Sequence, residues 1–185
     1  MERQIRWTTP QANGLEHLRL RSDGDIYAES VVIGGDNEEQ VRWALIYTVM
    51  CDANWRTRHV SIAEYAHGYR LDLSTDGDGI WRDMHGELLP GLAGCIDVDI
   101  RATPFTNTLP MRRLHWERGE SVEIAVVFVP MPDLVPCKRI QRYTSLAPGQ
   151  WRFEALDSGF TAVLTTDADA LVVEYPGLFR QVPEP

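Results

Sequence analysis

The sequence predicts a mainly β protein, built as a strongly curved antiparallel sheet, a half-barrel or flattened barrel, with little helix. Turn-forming pairs recur every 8–14 residues, among them Asn13-Gly14, Asp23-Gly24, Gly34-Gly35, Asp76-Gly77, Arg118-Gly119, Pro148-Gly149 and Ser158-Gly159. That is the rhythm of hairpins. The stretches between them are rich in Val, Ile and aromatic residues, which favour strands. Prolines at 90, 104, 110, 130, 132, 136, 148, 176 and 183 oppose long helices in the second half.

Taken in order, the strand-like segments are 15–21, 25–33, 39–51, 54–65, 68–74, 95–101, 109–117, 121–130, 138–146, 150–156, 160–166 and 170–175. Segment 39–51 places Val41, Trp43, Leu45, Tyr47 and Val49 on one face. Its other face carries Gln40, Arg42, Ala44, Ile46, Thr48 and Met50, polar at one end and apolar at the other. Such a strand is expected to be covered on both sides along part of its length. Segment 121–130 likewise alternates at first and ends apolar on both sides. Two-sided burial in an antiparallel sheet calls for a second layer or a curled sheet, hence the half-barrel. In 95–101, Ile96, Val98 and Ile100 alternate with Asp97, Asp99 and Arg101. Only 86–94 and 167–171 have room for a short helical turn. With 185 residues and 44% hydrophobic content, the expectation is a single β-rich domain spanning 1–185.

A net charge of −9 and a pI near 5.0 oppose a polyanionic partner, so no nucleic acid is expected. The opening MERQIRWTTP is charged and broken by proline, unlike a signal peptide, and no apolar run reaches the ~18 residues of a transmembrane segment. A soluble, cytoplasmic protein is expected. Cys51, Cys95 and Cys137 show neither CxxC nor Cys/His spacing, which points to reduced, mostly buried thiols rather than a disulfide framework or zinc.

The motifs that could carry chemistry are few. DLSTDGDGIWRD places Asp72, Ser74, Asp76, Gly77 and Asp83 at calcium-loop positions 1, 3, 5, 6 and 12. The strand-like YRLDL before it and Gly79 at the eighth position make it a solvated hairpin instead. Asp97-Val98-Asp99 matches the DxD pair of metal-dependent glycosyltransferases, but no βα rhythm or Gly-rich phosphate loop accompanies it. GxSxG and HExxH are absent, and the five His are scattered. No metal or cofactor is expected. The six Trp fall on different strands and should converge inside, either as core or as the lining of a cavity.

In TPFTNTLPMRRL, Pro104 and Pro110 exclude a continuous ladder, while Thr106, Asn107 and Thr108 can each bond neighbouring backbone, so an ordered crossing loop is expected there. With this segment, a resemblance to a known family emerges. CDANWRTR at 51–58, DGDGIW at 76–81, GCIDVDIRATPFTNTLPMRRL at 94–114, VPMPDL at 129–134, QRYTSL at 141–146 and ALVVEYPGLFRQV at 170–182 resemble small bacterial proteins described as putative glycolipid-binding. The resemblance implies a fold similar to lipoprotein localisation factors and mycobacterial lipid carriers, in which an open curved sheet surrounds an apolar concavity. It also implies a lipid-like or glycolipid small molecule as partner. It brings no catalytic residues.

The leading expectation is therefore a non-catalytic module holding an amphiphile. Its candidate ligand-binding residues are Trp43, Tyr47, Trp55, Trp81, Asp97, Asp99, Asn107, Arg112 and Tyr143. The alternative is an enzyme acting on a lipid- or sugar-linked substrate, with Asp97, Asp99, Asn107 and Arg112 at the pocket mouth. Arg112 and Arg113, read as neighbours in a strand, should face opposite ways, and the inward one should pair with Asp97 or Asp99. The oligomeric state is open.

Overall fold

The computed structural model describes residues 2–10, 13–36 and 41–183. Its strands are β1 (Glu2–Thr8), β2 (Leu15–Asp23), β3 (Asp25–Asp36), β4 (Val41–Cys51), β5 (Thr57–Glu64), β6 (Arg70–Thr75), β7 (Trp81–Asp83) and β8 (Asp97–Ile100). After the short helix α1 (Thr108–Arg113) come β9 (Ser121–Val129), β10 (Cys137–Ala147), β11 (Gln150–Ala155), β12 (Phe160–Thr166), β13 (Val172–Tyr175) and β14 (Phe179–Gln181). All belong to one sheet in the order β7-β6-β5-β4-β3-β2-β1-β14-β13-β12-β11-β10-β9-β8. The sheet is open, with β7 and β8 at its edges. It is curled, because edge strand β8 packs against β5, the third strand from the opposite edge.

Alternation sets the inner face. Leu18 and Leu20 of β2, Ala28 and Val32 of β3, and Leu45, Tyr47 and Val49 of β4 all point into the main core, as expected for a period of two. The outer face of β4 is covered only in part: Ile46 is 42% exposed, while Ala44, Thr48 and Met50 are half-buried. The curled sheet buries the inward side of this strand more fully than the outward one. Strand β9 does meet two-sided burial, because Val127 and Val129 join the main core while Ile124 and Val126 join a second one with Tyr143, Phe153 and Tyr175.

The chain between the two edges departs most from expectation. Segment 109–117 is not a strand: a 3-10 turn, Phe105–Asn107, leads into α1, which ends at Arg113. Pro110 sits in the first turn of that helix, where its missing N–H costs nothing. Residues 102–111 are all buried, so this segment lies inside the concavity and fills part of it. Its backbone is satisfied locally, with Thr106 Oγ1 accepting from Ile100 N (3.2 Å) and Thr103 Oγ1 from Phe105 N (3.0 Å). The preceding strand β8 pairs with β9 in parallel, which makes the sheet mixed rather than wholly antiparallel.

Segment 86–94 holds one 3-10 turn, Pro90–Leu92. Segment 167–171 is a turn closed by Asp167, whose Oδ1 accepts from the backbone of Asp169 and Leu171, and not a helix. Strands β1, β7 and β14 lie outside the segments read from the sequence. In β1, Ile5 and Trp7 are buried among charged neighbours, which hide the alternation. Residues 39 and 40 of the segment 39–51 lie outside the described residues.

Candidate functional site

Two cavities open in the part of the concavity that the crossing segment leaves unfilled. The first, about 460 Å³, has a wall of aromatic residues from Phe153, Phe160, Tyr175 and Phe179, and a polar floor from Asp99, Asn107 and Gln141. The rings form one cluster, with centroids 6.2 Å apart for Phe153–Phe160, Phe153–Tyr175 and Tyr175–Phe179. The second, about 660 Å³, is lined by Trp7, Glu16, Val32, Gly34 and Trp43 among others. Arg101, Phe160, Leu178 and Phe179 line both, so the two spaces adjoin. Phe160 and Leu178 are 41% and 40% exposed; they stand at hairpin ends, the start of β12 and the β13–β14 turn.

The floor of the first cavity is held by hydrogen bonds. Gln141 Nε2 donates to Asp99 Oδ2 (2.6 Å) and Thr106 Oγ1 to Asp99 Oδ1 (3.3 Å). Burial pushes the Asp99 carboxyl above its usual value, and those two donors oppose the shift. Tyr143 donates to Asn107 Oδ1 (2.9 Å).

The second cavity contains a group that the sequence reading missed. Glu16 shares the inward face of β2 with Leu18 and Leu20, and it is 2% exposed. Its Oε1 accepts from Tyr47 Oη (2.6 Å), Ser30 Oγ (2.8 Å) and Thr103 Oγ1 (2.9 Å), whereas its Oε2 has no hydrogen-bond partner. Burial drives its pKa up to about 7, and the three hydroxyls hold it from rising further. Because all three donors converge on Oε1, a proton taken up by Glu16 belongs on Oε2. The signal was legible in EHLRL, where a lone acid occupies an apolar face.

Trp43 reaches the same cavity. Its Nε1 is buried and unpartnered, and the indole lies over Gly34, the residue directly opposite it on β3. A Cβ at Gly34 would fall 2.8 Å from that nitrogen, so glycine is what lets the ring lie down.

The remaining candidates are distributed as follows. Trp43 lines the second cavity, and Asp99 and Asn107 the first. Tyr47 and Tyr143 stand behind them as hydrogen-bond donors to Glu16 and Asn107. Trp81 is in the main core, donating to Cys95 O (2.7 Å). Asp97 pairs with Arg113 through two hydrogen bonds of 3.0 and 2.7 Å, and Arg112 lies 5.1 Å from the ring centre of Trp55. The inward arginine is thus Arg113, as the pairing argument requires, although the two sit on a helix rather than a strand. Asp97 and Asp99 have separate partners and do not converge as a metal-binding pair. Among the described residues no group of three or more His, Cys, Asp or Glu is placed to hold a metal ion, and no helix is long and apolar enough to cross a membrane.

A family model described as putative glycolipid-binding matches residues 4–181. The crystal structure of a DUF1089 family protein from Pseudomonas aeruginosa is similar over 95% of each chain, with 37% sequence identity and a TM-score of 0.83. No curated protein matches the chain.

Proposed function

The chain belongs to the putative glycolipid-binding family, and from that premise we propose that it holds an amphiphile in the two adjoining cavities without catalysing a reaction on it. The observation that supports this reading is that Phe160, Leu178 and Phe179 line both cavities, which sets a largely aromatic space beside a more polar one. Each cavity is within the range of about 300–1,000 Å³ usual for small-molecule sites. Enclosing ten methylenes would contribute roughly 8 kcal/mol at ~0.8 each, before association and ordering costs of several kcal/mol. A simple fatty acid should therefore bind no better than tens of micromolar, and tighter binding needs contacts to the head group.

Protein purified without detergent and denatured in organic solvent should release an amphiphile detectable by mass spectrometry. Phe160→Asp, at a half-exposed position, should release less while staying folded. Equal release from both proteins would sink the reading.

One observation favours a second reading, an enzyme acting on a lipid- or sugar-linked substrate: a carboxyl titrating near 7 on a cavity wall suits a general acid. Turnover of p-nitrophenyl octanoate or an alkyl glucoside that disappears in Glu16→Gln would support it over simple binding.

A further inference from the structure

The aromatic wall of the first cavity stands beside a carboxyl. Asp99 lines that cavity with Phe153, Phe160, Tyr175 and Phe179, and it is only half-buried, so it keeps accessible surface. Two residues earlier on the same strand, Asp97 is answered by the Arg113 guanidinium through two hydrogen bonds. The groups that hold Asp99, Gln141 Nε2 and Thr106 Oγ1, are both uncharged. A carboxylate withdrawn from water without a counter-charge is costly, and burial accordingly pushes this one above its usual value. Burial, and after it the charge of Asp99, also raises the Tyr175 phenol, which places the acid and the aromatic wall within electrostatic reach of each other.

Aromatic faces attract cations, and grouped rings are a known means of recognising ammonium ions. A carboxylate beside them adds direct charge attraction. We infer that Asp99 and the wall of Phe153, Phe160, Tyr175 and Phe179 form a seat for an ammonium group. Where that group heads an amphiphile, the inference rests on the reading above and adds to it the charge of the head group and its place. The tail would then run along Phe160, Leu178 and Phe179, which line both cavities. The other charged residues lining the first cavity are Arg101, Arg139 and Asp157. Arg139 and Asp157 pair with each other at 3.3 Å. If the arginines governed the site, an anionic head would be preferred, and an anionic probe therefore discriminates.

Octyltrimethylammonium bromide, sodium octyl sulfate, octyl β-D-glucopyranoside and 1-octanol share one tail and differ in head group. Choline carries the ammonium group without the tail. Their affinities would be measured by calorimetry below the micelle concentration, with nuclear Overhauser contacts between the N-methyl protons and the protein recorded in parallel. Octyltrimethylammonium should bind at least about ten-fold more tightly than octanol or the glucoside, and its N-methyl protons should show contacts to aromatic ring protons. Asp99→Asn, which keeps the shape and removes the charge, should abolish that preference. Phe160→Leu, which keeps apolar surface and removes a ring face, should cut it several-fold and leave octanol binding unchanged.

If Asp99→Asn does not fold, Phe160→Leu and the N-methyl contacts decide alone. Equal binding of the ammonium compound and octanol, N-methyl protons without aromatic contacts or a preference for octyl sulfate would overturn the ammonium seat and leave the amphiphile reading intact. Choline binding as tight as that of octyltrimethylammonium would keep the seat and remove the amphiphile reading. Failure of every probe to bind would remove both.

Discussion

The hydroxyl of Tyr47 donates to Oε1 of Glu16 across 2.6 Å, between two residues that are both 2% exposed. The tyrosine ring is core, and its oxygen is one of three that keep a buried carboxyl tolerable. Tyr47→Phe removes the oxygen and little else. Because Ser30 and Thr103 remain, the loss should be partial, about 1–3 kcal/mol by urea unfolding, and an unchanged midpoint would show that the network contributes nothing to stability.

Titration of Glu16 sets a pH dependence whose sign follows from its direction. Folding raises its pKa from 4.5 to about 7, so the folded state favours the neutral acid more than the unfolded chain does. The associated stability is fully present below about pH 4.5 and is lost as pH rises through 7, on the order of 3 kcal/mol across the window. Glu16→Gln cannot ionise, so its stability relative to wild type should improve from pH 5 to about pH 7 and level off above it. A constant difference over that range would contradict the assignment. Asp99, shifted in the same direction, leaves both proteins a common residual slope.

The paired arginines should respond unequally to the same substitution. Arg113→Met strands the Asp97 carboxylate, which is 1% exposed, and loss of one partner of a buried pair costs about 3–5 kcal/mol. Arg112→Met removes a guanidinium lying over Trp55, worth about 0.5–1 kcal/mol at an accessible site. Thermal unfolding of the two variants checks this, and equal losses would refute it.

Two glycines separate crowding from backbone strain. Gly79 and Gly24 both have positive φ, +100° and +84°, but a Cβ at Gly79 would lie 2.7 Å from Gly94 Cα whereas one at Gly24 meets nothing within 4 Å. Alanine at 24 carries only the conformational cost of about 1 kcal/mol. Alanine at 79 must also push apart the turn before β7 and the approach to β8, and should cost a further ~1–3 kcal/mol. Equal melting temperatures for the two variants would mean that the 79–94 contact yields freely.

What could be read from the sequence follows from how local the signal is. Alternation in β4 gave its inward face directly, including Trp43 and Tyr47, because a strand's two faces are decided by neighbours two residues away. The helix at 108–113 could not be read that way. TLPMRRL has the bulk of a strand, and its helical form is settled by contacts far along the chain, Thr108 Oγ1 to Ala170 O and Arg113 to Asp97. The same limit applies to the site: Asp99, Asn107 and Trp43 were recognisable as polar or amphipathic residues on suspect segments. Phe160, Leu178 and Phe179, which line both cavities, come together only when the β12 and β14 hairpins fold. Glu16 was readable and overlooked, since an acid on an inward register is visible as soon as the register is known.

In the strand order, every neighbouring pair but one joins strands consecutive in the chain, the exception being β1 with β14. Each half can therefore zip up from its own turns at small entropic cost, while the join between the halves must close a loop of nearly the whole chain. That join is short in its ladder, Trp7 opposite Gln181 and Thr8 opposite Arg180. It is reinforced by Trp7 Nε1 donating to Val172 O and by Arg3 bonded to Asp167 and Asp169. Trp7, Leu178 and Phe179 at this junction also line the larger cavity, so that cavity is completed only when the most distant contact in the chain has formed. A chain caught with its halves folded but unjoined would expose apolar surface to other molecules, which makes the β1–β14 junction the place where folding and aggregation compete.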